Sequence, residues 1–564
     1  MRKTFLETAV ALLIVAGGAA AAENAVSIYE SPTPATPAGE LDKIVFAKLS
    51  SLGIEPVLCS DAVFVRRAYL DVIGTLPTAE EARQFIDDTE TENKRVALID
   101  RLMARDEFAD YRSMKWGDVL RIKAEFPVNL WPNAAQAYHR WVRSSIVENK
   151  PYDRFAREML TSSGSNFRVG PVNFYRAIQN KTPEGIATAV ALTCMGARAE
   201  SWPPDRLKGM SVFFSQIGYK PTSEWKEEDV FWDPLGVASM PGNTAPGQAK
   251  ISTSPPPPED KSESEPDAEE SDKEKPAAAD AGPLVAVFPD GTKVKLPPNR
   301  DPREVFADWL ITPENPWFTR SIVNRVWAWI MGRGIIHEPD DIRDDNPPSN
   351  PELLAYLEKE LVAHKYDLKH LYRLILTSRT YQLSSIARSD KPEAAANFAS
   401  YPLRRLEAEV LIDAVNAITG TTDLYTSPIP EPFTYIPEDQ PAIALADGSI
   451  TSPFLALFGR SARATGMSNE RNNKLDSAQW LHMLNSSHIQ SKLEQGPRLR
   501  ELMASGKKPA EIVEELYLTV LSRRPTQEEL KTVAEYVEAT EVRRNAAIDI
   551  TWALINSPEF LYRH

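Results

Sequence analysis

Along most of the chain apolar residues return every three or four positions, and the segments with this spacing open on side chains able to cap a helix. In "LPTAEEARQFIDD" Thr78 stands before the apolar stripe, Glu81 follows three positions on and Leu76 precedes them, the pattern of a capping box. "RRPTQEELKTVAEYV" repeats the device with Thr526 and Glu529. In "SNPELLAYLEKELVAHKYDLKHLYRLILTS" Asn350 is the cap, Pro351 occupies the first turn, and Leu353, Leu354, Leu357 and Leu361 fall at helical spacing. "DPREVFADWL" begins the same way at Asp301. "TPEGIATAVALTCMGARAE" begins at Thr182 and Pro183 and sets Ile186, Val190, Ala191 and Cys194 along one buried stripe. Strand patterns are few. The best, "GPLVAVFPDGTKVKLPP", places two β-prone runs about Asp290-Gly291 and reads as a hairpin. The final segment, "DITWALINSPEFLYRH", is aromatic-rich for a chain end. Ends fray unless tied down, so it predicts a packed helix with Trp552 and Phe560 inward.

These elements predict a mainly α fold: two helical domains joined by a long irregular linker with a small β-hairpin. A chain of 564 residues is also too long for one ordinary domain. The expected divisions are a signal peptide over 1–22, a flexible leader over 23–40, a helical domain over 41–219, a linker over 220–300 and a second helical domain over 301–564. Within the linker, 254–280 is rich in proline and acid and is expected to be disordered, because it cannot bury enough apolar surface to offset ordering entropy; the hairpin covers 282–298.

Charge sharpens the picture only slightly. The formal net charge is -15, but residues 254–280 hold ten Asp/Glu against three Lys, which is -7. The remainder is mildly acidic, and nothing in it suggests nucleic-acid binding. The start, "MRKTFLETAVALLIVAGGAAAAENA", has Arg2 and Lys3, a short apolar run, and small residues at Ala20 and Ala22, the pattern of an export signal. No later segment has 18 uninterrupted apolar residues, so no transmembrane segment is expected in the mature chain. The protein is therefore expected outside the cytoplasm, in the periplasm or beyond.

Chemistry-bearing residues are sparse. Cys59 and Cys194 are the two cysteines; an exported protein can join them, and sequence alone leaves the disulfide and the free thiols both open. The histidine pairs 364/370 and 482/488 are each six apart, about 240° on one helix, so neither is expected to share a face as a zinc pair would. No metal and no cofactor is expected on this reading. "HEPDDIRDDNPPSNPE" clusters aspartates without the spacing of an EF-hand. It reads as a solvated turn, or alternatively as a pocket in which Asp341 faces the basic groups of "TRSIVNR". There Arg320, Asn324 and Trp327 lie at i, i+4 and i+7 with Arg325 beside them, and "LRRLEAEVLIDAV" adds Arg405 and Glu407. Guanidinium forks bind carboxylate, phosphate or sulfate, and equally make structural ion pairs with nearby glutamates. Among the tryptophans of the first half, Trp225 and Trp232 are expected to be the most exposed.

"FVRRAYLDVIGTLPTAEEARQFI" resembles the opening of the planctomycete secreted cytochrome-like family (domain of unknown function 1549). "NPWFTRSIVNRVWAWIMGRGII", "PSNPELLAYL", "DLKHLYRLILTSRTYQLSS", "YPLRRLEAE" and "DITWALINSPEFLYRH" are similar to its usual companion, the planctomycete secreted domain (domain of unknown function 1553). The resemblance implies no established reaction. Many relatives carry a C-x-x-C-H-like segment where this chain has Cys194, Ala197 and Arg198, with Glu200 in place of a later histidine. Alanine forms no thioether and a guanidinium does not ligate iron, so no c-type haem is expected. Where companions carry a cysteine pair before a Glu-Arg, this chain has Met467 and Asn469 before Glu470 and Arg471.

Together these readings favour an exported binding or assembly component of the cell envelope, with envelope proteins or glycans as partners. The alternative is a hydrolase or accessory enzyme of polysaccharide breakdown using an Arg/Asp pocket in the second domain; the resemblance adds a hint toward sulfated glycans. An electron-transfer cytochrome is the third reading. Convergence of Asp341 and Arg325 in a pocket would favour the enzyme, and separately paired charges would favour binding.

Overall fold

The computed structural model describes residues 28–91, 93–236, 284–540 and 543–564. The expected signal peptide, the first residues of the leader and the acidic stretch 254–280 lie outside these residues.

Helices dominate, and their starts follow the caps. The side chains of Thr78 and Thr526 accept from the backbone N–H of Glu81 and Glu529, whose carboxylates reach back, completing both capping boxes. Asn350, Asp301 and Thr182 cap the helices Pro351–Ala363, Pro302–Leu310 and Pro183–Val190. Each satisfies an amide that the helix leaves without a partner. After Val190 the chain runs into one wider turn, Ala191–Met195, and stops at Gly196. Gly196 has φ +62°, and a Cβ at this position would stand 3.0 Å from Ser321, Pro339 and Ile342, tighter than ordinary contact.

The strands are short. The hairpin pairs Val285–Val287 with Lys293–Lys295 about the expected turn. Its Phe288 stacks on Phe213 and Trp309, so it docks the two helical regions together. The leader turns to strand at Glu30–Pro34, which pairs with Val57–Cys59. The first part of the expected linker is folded too: Glu228–Trp232 is the middle strand between Gly164–Ser165 and Ile217–Pro221. "EDVFW" is β-prone and Ile217–Pro221 is only a short loop away, but the other partner, Gly164–Ser165, lies far back in the sequence. Trp225 is exposed as expected, whereas Trp232 is half-buried and donates its indole N–H to Gln216.

The two helical regions share one core. A hydrophobic cluster runs from Leu41 through Val230 and continues from Ala286 to Tyr401. A second cluster holds residues from Leu406 to Leu561 together with Leu70, Tyr111 and Met114 of the first region. The chain end is tied down: Phe560 is fully buried, and Trp552 is half-buried with its indole N–H on the Leu484 carbonyl at 3.2 Å. No described helix is long and apolar enough to cross a membrane.

Candidate functional site

The helix Asp61–Val72 carries "FVRRAYLDV" into the interior, with Arg66, Arg67 and Asp71 all buried. Asp71 is a hub. One carboxylate oxygen accepts from the hydroxyls of Tyr381 (3.0 Å) and Tyr401 (2.7 Å). The other accepts from Arg563 (2.8 Å) and Arg404 (3.3 Å). Arg563 also pairs with Glu407, which Lys115 holds from the opposite side. Burial works against the charge of Glu407, but Arg563 and Lys115 keep its carboxyl well below the usual range. The segments "RRAYLD", "RTYQLSS", "YPLRRLEAE" and "EFLYRH" therefore meet at one closed ionic junction.

Beside it, Glu409 takes Arg471 through two hydrogen bonds (2.6 and 3.0 Å) and Arg460 at 3.3 Å. Burial opposes its ionisation, yet Arg471 and Arg460 bring its pKa down to about 2. Arg405 does not pair with Glu407. It donates to the carbonyls of Leu406, Phe458 and Asn472 and lies over the Phe458 ring.

The other expected site residues separate in the same way. Arg320 reaches Glu358 at 2.8 Å near the surface. Asn324 clasps Ile336 through both its N–H and its carbonyl. Trp327 is fully buried against Phe398. Arg325 pairs through Nη2 with Asp340 (3.1 Å), not with Asp341; the same nitrogen donates to the Leu192 carbonyl and Nη1 to that of Thr193. Asp341 turns to Arg343 at 3.4 Å. The expected Asp341–Arg325 pocket does not form, because the loop path delivers the neighbouring aspartate. Asp340 also accepts the Ser468 N–H at 2.6 Å. The two segments in which the resemblance places cysteines are thus bridged by the Arg325–Asp340 pair.

Cys194 lies on the expected buried stripe, and burial pushes its thiol up to about 12. Ala197 is buried, Arg198 pairs with Glu338 at 3.0 Å, and Glu200 is exposed. Cys59 and Cys194 are both free and buried, which settles the open choice in favour of the thiols.

The histidine pairs depart from expectation, because a helix ends between the members of each. His482 and His488 sit on the successive helices Ser477–Asn485 and Ser487–Gln495, with Nε2 and Nδ1 3.3 Å apart, and His488 continues to Asp423 at 3.1 Å. His364 and His370 flank the break between Pro351–Ala363 and Leu368–Leu376, and their rings stack. The spacing argument against a shared site fails at both places.

One pocket opens between the two regions, with about 30 Å³ of room for water-sized groups. Phe108, Trp116, Phe155 and Tyr372 wall it. Its polar lining includes Arg112, Lys150 and Lys369 and no carboxylate. Lys150 is paired with Glu158 (2.6 Å), whereas Lys369 has no carboxylate partner among the described residues. Arg112 is almost completely buried. Its Nη2 donates to the Asp71 and Val72 carbonyls, its guanidinium lies over the Phe108, Tyr111 and Tyr372 rings, and its Nε and Nη1 make no hydrogen bond of ordinary geometry. Sequence reasoning missed Arg112, since a lone arginine in "ADYRSMKWGD" carries no local mark.

Residues 40–193 match the family PSCyt2, a protein of unknown function (DUF1549), and residues 302–537 match PSD1, a protein of unknown function (DUF1553). No curated protein and no solved structure matches the chain.

Proposed function

We propose that this chain, which joins a DUF1549 region to a DUF1553 region, is an exported binding component of the cell envelope. In this reading it takes the carboxylate end of an acidic ligand into the pocket around Arg112. The observation that carries the reading is the buried guanidinium with two unpartnered nitrogens beside a small aromatic-walled opening that lacks any carboxylate. A buried donor without a partner is costly, and an anion supplies the missing acceptor. The room suits one carboxylate group, since a water needs roughly 10–15 Å³, while the rest of the ligand lies across Lys369 and the outer rings. Export rests on the charged, apolar and small-residue pattern of the first 22 residues. The hydrolase reading loses its support, because Arg325, Asp341, Arg405 and Glu407 each have separate structural partners.

The test is a calorimetric titration of the mature chain with uronic acids, short carboxylates and their neutral counterparts, with product release followed in parallel. The acids bind, the neutral sugars do not, and no product appears. Arg112→Met removes the binding; if that variant does not fold, Lys369→Met weakens it instead. Equal binding of neutral ligands, or accumulating product, overturns the proposal.

A further inference from the structure

We propose that Glu360, His364 and His370 form a binding site for a divalent transition metal of the zinc class. The site is made by a chain reversal. The helix Pro351–Ala363 stops at His364, and Lys365 and Tyr366 both take positive φ (54° and 60°). Asp367 then caps the next helix by accepting the His370 N–H at 2.9 Å. Glu360 lies one turn before the break, so its carboxylate faces both imidazoles.

The geometry has the dimensions of a first coordination shell. Glu360 Oε2 is 3.5 Å from His364 Nδ1 and 3.4 Å from His370 Nε2, and all three ligand atoms lie within 4.8 Å of one another. Zinc bonds of about 2.0–2.1 Å in a tetrahedron set neighbouring ligand atoms about 3.3–3.4 Å apart. Two imidazole nitrogens with one carboxylate oxygen are a ligand set zinc takes while keeping a fourth position for water. The three side chains are 25–45% exposed, so an ion reaches them and water completes the shell. The imidazole rings stack with centroids 3.5 Å apart and planes 14° from parallel. Capture of an ion turns the His364 ring out of the stack about a broad torsion, and the hydrogen that Nδ1 shares with the Glu360 carbonyl at 2.9 Å passes through solvent to Nε2, which leaves the Nδ1 lone pair for the metal. The second histidine pair offers no such set: His488 spends both nitrogens, one on His482 and one on Asp423.

The test uses untagged full-length chain stripped with a chelator and titrated with cobalt(II), then with zinc in competition. Visible d–d absorption saturates at one cobalt per chain, and one equivalent of zinc removes it. His370→Ala and His364→Ala each weaken zinc binding at least 100-fold, Glu360→Gln at least tenfold, and His488→Ala leaves it unchanged. Thermal midpoints of the variants, measured without metal, show that they remain folded. Absence of the cobalt bands overturns the proposal. So does unaltered zinc affinity in the His364→Ala/His370→Ala double variant, or a loss confined to His488→Ala.

Discussion

Around Asp71 and Glu407, two carboxylates meet Arg563 and Lys115 in the interior and Arg404 from its edge, and tyrosine hydroxyls donate to further lone pairs. Around Glu360, one carboxylate meets two imidazoles half in water, with ligand atoms spaced for an ion that no protein group replaces. Both clusters draw on the C-terminal region, Arg404, Glu407 and Arg563 in one and Glu360, His364 and His370 in the other. Only their environments differ. In the interior a charge survives when its partners are assembled around it, so the arrangement records which segments must come together. At the surface an unmatched ligand atom costs little, so it is free for chemistry. In this molecule motif residues with closed hydrogen bonding are architectural, and open valences mark the places where binding is proposed.

The contrast breaks most visibly at Arg563. Arg563→Met leaves Asp71 and Glu407 short of a buried partner and is expected to cost about 3–5 kcal/mol, read from the urea midpoint. Adding Asp71→Asn and Glu407→Gln recovers part of that loss. No recovery would mean that packing, and not charge, holds the junction.

Acid probes the same interior. The Glu409 pKa is depressed to about 2 from 4.5, so its stabilisation is complete above pH 4.5 and is lost as pH falls toward 2. The unfolding midpoint declines over that window. Glu409→Gln starts lower and declines less; parallel curves for the two proteins would remove Glu409 from the account. Trp552→Ala sharpens the scale, because the ring is only half-buried: about 1–3 kcal/mol is expected, below the roughly 3–5 for a fully buried aromatic such as Phe560. The smallest effect belongs to the surface cluster. His370→Ala without metal shifts stability by under about 0.5 kcal/mol, and a larger loss would place the histidines among the architectural groups.

Much of the helical framework was legible in the sequence. Thr78, Thr182, Asn350 and Thr526 announce helix starts because a cap acts on an amide two or three residues away, so the chemistry and the signal share one short window. The hairpin at Asp290-Gly291 and the buried stripe through Cys194 are local in the same sense. The ion pairs were not legible. Asp340 and Asp341 are adjacent, and only the turn at Pro339 decides which of them meets Arg325. Arg405 and Glu407 are two positions apart, yet one seeks carbonyls and the other cations. The histidine spacing misleads because a separation of six has that meaning only on one helix, whereas Lys365 and Tyr366 reverse the chain within one pair and the helix break at Ser486 divides the other.

By itself the sequence determined the helical class, the positions of the caps, the family pairing and the place of Cys194 on a buried stripe, because each depends on residues a few positions apart or on long ordered motifs. Only the tertiary structure decided that Asp71 gathers four distant segments and that both helical regions share a core. It also decided that Arg112 faces an opening and that Glu360 meets two imidazoles. Those outcomes depend on where loops return the chain across hundreds of residues. Burial then converts that placement into chemistry: inside, it requires every charge to find a partner, and at the surface it leaves ligand atoms free.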